Sequence, residues 1–189
     1  MTLAGAPLNP WTIPNAIGFI RLALIPVFFL VAMTSSDGTG AWPAILFGVI
    51  AWTDYADGIA ARVTGQYSRL GTLIDPIADR LLIISGIVVT WNFELLPRWA
   101  LAVLVARELA MLALARYGLR HGVDIAINWA GRLAVWPVMS AIFAGLVDLL
   151  TLAEVFLYIG VALSLFSFAQ YAQLGFASRK AQPEVESTP

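Results

Sequence analysis

The chain contains no cysteine and a single histidine, His121. The first absence excludes disulfides, thiolate nucleophiles and thiolate-held zinc or iron–sulfur centres, and the second excludes a site built from several imidazoles. Charge is scarce as well. Asp, Glu, Lys and Arg make up 12% of the 189 residues, against about 25% in ordinary soluble domains. The formal net charge is −1, so no basic field exists to attract a nucleic acid. No Lys or Arg occurs between Met1 and Asn15, so the first apolar run has no basic lead-in and reads as a retained span rather than a cleaved signal. Apolar residues fill the chain instead, at 60%, and the mean hydropathy is +0.82. There is too little polar surface for a water-facing coat, and the natural solvent for such a chain is lipid. The length is a prior for one domain.

A helix needs about 20 mostly apolar residues to cross the hydrocarbon core. Six stretches qualify, near 15–33, 41–61, 70–91, 98–116, 127–147 and 151–175. Turn chemistry separates them, as in Ser35-Ser36-Asp37-Gly38-Thr39-Gly40 and at Pro97. Trp11-Thr12-Ile13-Pro14-Asn15 suits a short interfacial segment before the first span, with Trp11 at headgroup level. The expected fold is an all-α integral membrane domain over residues 1–176, with six transmembrane helices, followed by a polar, disordered tail over 177–189. Arg62 and Arg69, Arg116, Arg120 and Arg132, and Arg179 and Lys180 all flank one side of the membrane, and Arg98 alone flanks the other. The basic side is the cytoplasmic one, which places both termini there in a multi-pass protein of the cell membrane. No inverted repeat of transporter type is visible.

The second and third spans carry four aspartates within the 26 residues from Asp54 to Asp79. Each charge near the bilayer centre costs on the order of 3 kcal/mol on insertion scales. Asp54 and Asp57 are three apart and Asp75 and Asp79 four apart, so each pair shares a helix face. A short connection makes the two helices a hairpin whose acidic faces can meet at its cytoplasmic end. Four carboxylates at close quarters must take up protons or hold a cation. Oxygen-only ligands favour Mg²⁺, Mn²⁺ or Ca²⁺, and two such ions about 4 Å apart suit attack on a phosphate ester. Gly58 and Ala61 leave room beside the acidic face. Gly71 opens the next helix, where backbone N–H groups can meet a phosphate. Arg62 offers a fork for phosphate oxygens. A lone intramembrane aspartate is most often a structural hydrogen-bond partner. A cation carrier could also use carboxylates of this kind, but it would not need the Gly-Ala-Arg arrangement at the membrane edge.

Asp54-x-x-Asp57-Gly58-x-x-Ala61-Arg62, eight residues, then Gly71-x-x-x-Asp75-x-x-x-Asp79 resembles the signature of the CDP-alcohol phosphatidyltransferase family at every fixed position. The resemblance implies a six-helix membrane fold, a homodimer, and a polar cavity open to the cytoplasm. It implies two divalent cations, Mg²⁺ or Mn²⁺, held by Asp54, Asp57 and Asp75, with Asp79 beside them as general base. Gly58, Ala61 and Gly71 would shape the nucleotide pocket, Arg62 would support the diphosphate, and Thr53 would touch the cytidine. The implied donor is CDP-diacylglycerol, and CMP is the leaving group. Because both lipid tails stay in the bilayer, the site would lie at the membrane face.

The acceptor is less sharply written. Pro14-Asn15-x-x-x-x-x-Arg21 with Ile25-Pro26, and Arg107-Glu108, resemble both phosphatidylglycerophosphate synthases and cardiolipin synthases of this family. Arg107-Glu108 reads equally as a mutually satisfied structural pair. Many glycerophosphate-using relatives carry Gly-Lys-x-Lys-Thr where this chain has Gly131-Arg132-Leu133-Ala134-Val135, so one of two cations is missing. Tyr67-Ser68-Arg69-Leu70-Gly71 and Asp79-Arg80-Leu81 look more like the actinobacterial cardiolipin-synthase branch. Arg107, Arg116 and Arg132 are the candidate acceptor-binding residues. Glycerol 3-phosphate ranks first as acceptor and phosphatidylglycerol second. His121 reads as a headgroup-level residue, and the tryptophans as interfacial or packing groups.

Overall fold

The structure, a computed structural model, describes residues 12–64, 70–120 and 129–181. Every regular element among them is helical: α1 (Ile13–Met33), α2 (Ala41–Thr64), α3 (Gly71–Asn92), α4 (Arg98–Arg120), α5 (Trp129–Leu146) and α6 (Leu150–Ala181). Each coincides with one apolar stretch of the sequence. α4 and α6 run several residues beyond their apolar cores, because helical hydrogen bonding continues into polar sequence while hydropathy marks only the lipid-compatible part. His121 and residues 182–189 lie outside the described residues.

α1 begins within the segment 11–15. Thr12 is extended (φ −123°, ψ 153°) and its hydroxyl accepts from the Asn15 N–H at 3.3 Å. That is an N-cap, and Pro14 fits in the first turn because the N–H it lacks has no helical partner there. From Ile13 onward the segment is therefore the first turn of α1, and Trp11 lies outside the described residues.

The chain divides into two compact units, Met1–Leu95 with Ile142–Ala153, and Leu96–Ala141 with Glu154–Pro189. In the first, α1 packs on both α2 and α3, which also touch each other. α1 and α3 run parallel: Gly18 lies against Ile74 near their starts, and Gly38 against Phe93 just past their ends. α2 runs the other way, with Phe47 near its beginning against Phe28 (ring centroids 5.4 Å apart) and beside Gly86 near the end of α3. In the second unit α6 packs on α5 through Gly160 and Val138. It meets α4 through the stacked rings of Trp99 and Tyr158, 5.7 Å apart.

The burial pattern of α1 is the reverse of a water-soluble helix. Its inner stripe is Asn15, Gly18, Arg21, Ile25, Phe28 and Ala32, at the three-and-four spacing of one helix face. That stripe includes an arginine and an asparagine, each 1% exposed, while Ile20 and Leu30 are 56% and 62% exposed. An apolar exterior with polar groups inside suits lipid as solvent. α1 and the Leu150–Gln170 part of α6 are long and apolar enough to cross a membrane, and Ala41–Thr53 and Leu133–Leu146 are shorter apolar stretches.

Gly38 anchors the turn between α1 and α2. Its φ is +76°, and a Cβ built on it would lie 2.3 Å from Phe93 Cδ2. Gly38→Ala therefore meets a left-handed backbone cost of roughly 1–2 kcal/mol and an overpacking cost of about 1–3 kcal/mol. The expected outcome is a melting temperature in detergent lowered by about 5–15 °C. A midpoint within about 2 °C of wild type in a fixed-rate scan would contradict this close packing.

Candidate active site

Two of the four aspartates have described side chains. Asp75 and Asp79 stand one turn apart on α3, and both reach a cation from another helix. Arg21 of α1 donates from Nη1 to Asp79 Oδ1 at 3.3 Å and from Nη2 to Asp75 Oδ1 at 3.4 Å. The arginine side chain is 1% exposed, whereas the carboxylates are 44% (Asp75) and 38% (Asp79) exposed. The guanidinium is therefore buried while the two carboxylates that it holds remain partly exposed.

The contacts are longer than the 2.7–2.9 Å of a tight charge-assisted bond, so most of their strength is Coulombic. At an effective dielectric near 20, each contributes roughly 5 kcal/mol of attraction, reduced by the exposure of the acids. Burying the guanidinium costs several kcal/mol, so the sum is close to balance. Loss of both acids would leave an uncompensated buried charge, at about 3–5 kcal/mol, whereas loss of one leaves the guanidinium paired with the other.

The close approach of α1 and α3 depends on Gly18. A Cβ there would lie 3.1 Å from Ile74 Cγ2 and 3.9 Å from Asp75 Oδ1. An alanine there would require Ile74 or the helix that carries it to give by a few tenths of an ångström, next to the acids that the guanidinium holds. Asn15, one turn earlier on the same face, is also fully buried.

Asp54 and Asp57 lie on α2, and their side chains, with those of Gly58 and Ala61, are outside the described residues. The helix positions still give a level. Asp57 is seven residues before the end of α2 at Thr64, and Asp75 four after the start of α3 at Gly71. At 1.5 Å per residue these lie about 10 Å and about 6 Å from the connected ends of two neighbouring antiparallel helices. Among the described residues no group of three or more acidic or histidine side chains converges. Arg62 sits exposed in the last turn of α2, and Gly71 is the first residue of α3. The Thr53 hydroxyl donates to the Ile50 carbonyl at 2.7 Å, so its proton is engaged within α2.

Residues 11–166 match the family described as CDP-alcohol phosphatidyltransferase. The chain belongs to that family. Among similar proteins is a CDP-diacylglycerol–glycerol-3-phosphate 3-phosphatidyltransferase of Bacillus subtilis, 31% identical over 146 residues, which are 71% of this chain and 76% of that protein. A cardiolipin synthase (CMP-forming) of Streptomyces coelicolor is 38% identical over 135 residues, 69% of this chain and 62% of that protein. A second CDP-diacylglycerol–glycerol-3-phosphate 3-phosphatidyltransferase, of Pectobacterium atrosepticum, is 30% identical over 173 residues, 85% of this chain and 93% of that protein.

In this phosphatidyltransferase the candidate acceptor residues belong to the second unit. Arg107 of α4 donates from Nε to the Ser164 carbonyl of α6 at 3.3 Å, and its Nη1 pairs with Glu108. Arg116 is exposed on α4. Arg132 lies on α5, its side chain outside the described residues. Ala134, where many relatives carry a second cation, is 4% exposed. A lysine there would have to bury its ammonium, so Ala134→Lys tests packing before it tests acceptor use.

Sequence reasoning missed the partnership of Arg21. Arg21 stood there only as part of an opening motif, Pro14-Asn15-x-x-x-x-x-Arg21. The available signal was a lone arginine in an otherwise apolar span, a charge that requires a partner, in a chain whose nearby spans hold aspartates.

Proposed function

We propose that this family member is a six-span membrane enzyme that transfers the phosphatidyl group of CDP-diacylglycerol to a glycerol-based alcohol, with release of CMP. Glycerol 3-phosphate is the first-ranked acceptor, giving phosphatidylglycerophosphate. Both termini and the site face the cytoplasm, and the enzyme works as a homodimer. The observation that carries the reading is the pair of half-exposed carboxylates, Asp75 and Asp79, held on one face of α3 within the family signature.

The donor set fits a hard divalent cation. The described donors are partly exposed carboxylate oxygens, and the chain has no cysteine to offer a softer alternative. Asp54, Asp57 and Asp75 would hold two such ions, Mg²⁺ or Mn²⁺, with Asp79 adjacent. When bound, the ions supply charge neutralisation for a diphosphate and its leaving group. Asp79 takes the proton of the acceptor hydroxyl. The acceptor oxygen forms a bond to the lipid-linked phosphorus, the bond from that phosphorus to the bridging oxygen breaks, and CMP leaves with the electron pair. Arg62 offers donors to the diphosphate, and Gly58, Ala61 and Gly71 leave space for the nucleotide beside Thr53. Arg107, Arg116 and Arg132 would receive the acceptor phosphate.

One observation favours a second acceptor. The similarity to the Streptomyces coelicolor cardiolipin synthase, at 38%, exceeds the 31% to the Bacillus subtilis glycerol-3-phosphate enzyme over a comparable length. With phosphatidylglycerol as acceptor the same chemistry yields cardiolipin.

Purified protein given CDP-diacylglycerol and Mg²⁺ is offered glycerol 3-phosphate, phosphatidylglycerol and inositol phosphate separately, and the lipid product is identified by mass. Phosphatidylglycerophosphate supports the first acceptor, and cardiolipin replaces it with the second. Metal flux in proteoliposomes without any lipid product would mean a cation carrier.

The aspartates are separable by substitution. Asp54→Asn or Asp75→Asn should abolish turnover in a protein that still folds in detergent, because no Cys or described His can replace the lost ligand. Asp79→Asn should lower kcat by about 10²–10⁴-fold, the usual worth of a general base, and leave CDP-lipid binding within a few-fold. Equal loss of binding and turnover in Asp79→Asn would make Asp79 chiefly a ligand.

A further inference from the structure

We infer that Arg21 is a positioning residue for the transfer: its guanidinium fixes the Asp75 and Asp79 carboxylates as one rigid pair, and it acts through geometry rather than through charge alone. The inference rests on the roles given above to those two aspartates.

Three observations support it. The guanidinium uses separate nitrogens for separate acids, Nη1 on Asp79 and Nη2 on Asp75, and each contact takes Oδ1. Holding one oxygen of a carboxylate restricts rotation of the whole group, and both acids remain partly exposed while so held, at 44% and 38%. The arginine itself has no room to wander, since it is 1% exposed on the inner stripe of α1. Finally, the distance between α1 and α3 is set by Gly18, whose missing side chain lets Ile74 and Asp75 come close. The three parts form a chain of constraint from α1 through the guanidinium to the two acids on α3.

A guanidinium is planar, and its two Nη atoms have a fixed spread. That is why it can span two oxygens one helical turn apart, which a lysine ammonium, a single point of charge, cannot do with the same rigidity. Misplacing a reacting group by about 1 Å can cost on the order of 10²-fold in rate. The requirement for arginine, as opposed to a cation, is therefore what distinguishes positioning from simple charge balance.

The test uses full-length protein in detergent or nanodiscs, with three readouts: the melting midpoint, Mn²⁺ binding by electron paramagnetic resonance, and steady-state kinetics with CDP-diacylglycerol. Arg21→Lys keeps the charge. It should bind Mn²⁺ within about 3-fold of wild type and keep KM for CDP-diacylglycerol within about 3-fold, while kcat falls by about 10- to 100-fold. Wild-type kcat in Arg21→Lys would overturn the inference, because charge alone would then suffice. Loss of Mn²⁺ binding in step with kcat would also overturn it, because Arg21 would then be maintaining the site rather than aligning it. If the lysine variant does not fold, Gly18→Ala decides. It retains Arg21 and every aspartate but pushes α3 away by a few tenths of an ångström, and kcat should fall about 3- to 10-fold with Mn²⁺ binding retained. Unchanged kcat in a folded Gly18→Ala protein would overturn the inference. Failure of the underlying reading looks different: wild type itself would then bind no Mn²⁺ and make no lipid product.

Discussion

A charge buried among apolar helices must be met by another charge, and in this chain that demand ties α1 to α3. Arg21 faces inward from a helix whose outer surface is apolar, and the groups that meet it are Asp75 and Asp79. Much of the first unit follows from that pairing. The helices run parallel, with Gly18 against Ile74 toward their starts and the arginine and acids paired beside that contact. They run close because Gly18 has no side chain where Ile74 needs space. At the other end, Gly38 and Phe93 make the matching contact. The acids stay 44% and 38% exposed although the arginine that they hold is buried.

Two roles are thus combined in one cluster. The inner half is structural, since a buried guanidinium without partners would cost several kcal/mol. The outer half is half-exposed, as the reactive role proposed for these carboxylates requires. Placing both on a single α3 face couples the stability of the helix packing to the orientation of the reactive groups. Electrostatic preorganisation of this kind costs nothing further at the moment of reaction, because the fold has already set the dipoles and charges in place.

Much of this was legible in the sequence, and the reasons differ by level. The six helices could be read because hydropathy and helix length report the same constraint, the thickness of a lipid-compatible segment. The boundaries at Met33, Ala41 and Arg98 were marked by polar turns and by Pro97, whereas the extensions of α4 to Arg120 and α6 to Ala181 carry no apolar signal. The Thr12 cap and the place of Pro14 in the first turn show that the segment expected at the interface runs directly into α1. Asp75 and Asp79 were readable as one face from their spacing of four. Their partner was not, because pairing between residues 54 and 58 positions apart leaves no local periodicity. Glu108 and Arg107 show the converse: neighbours in sequence, they are indeed paired, yet the bond to the Ser164 carbonyl on α6 could be seen only in the fold.

The central claim is that the aspartate cluster serves phosphatidyl transfer from a CDP-linked lipid to an alcohol. Phosphorus NMR on one sealed sample of enzyme, CDP-diacylglycerol and glycerol-based acceptor tests it most directly. Addition of Mg²⁺ should convert the two diphosphate resonances into one CMP phosphomonoester signal and one new phosphodiester signal, in equal amounts, and chelation should stop the conversion. A diphosphate that persists with metal and either acceptor present, or CMP that appears without a matching new phosphodiester, would contradict the account.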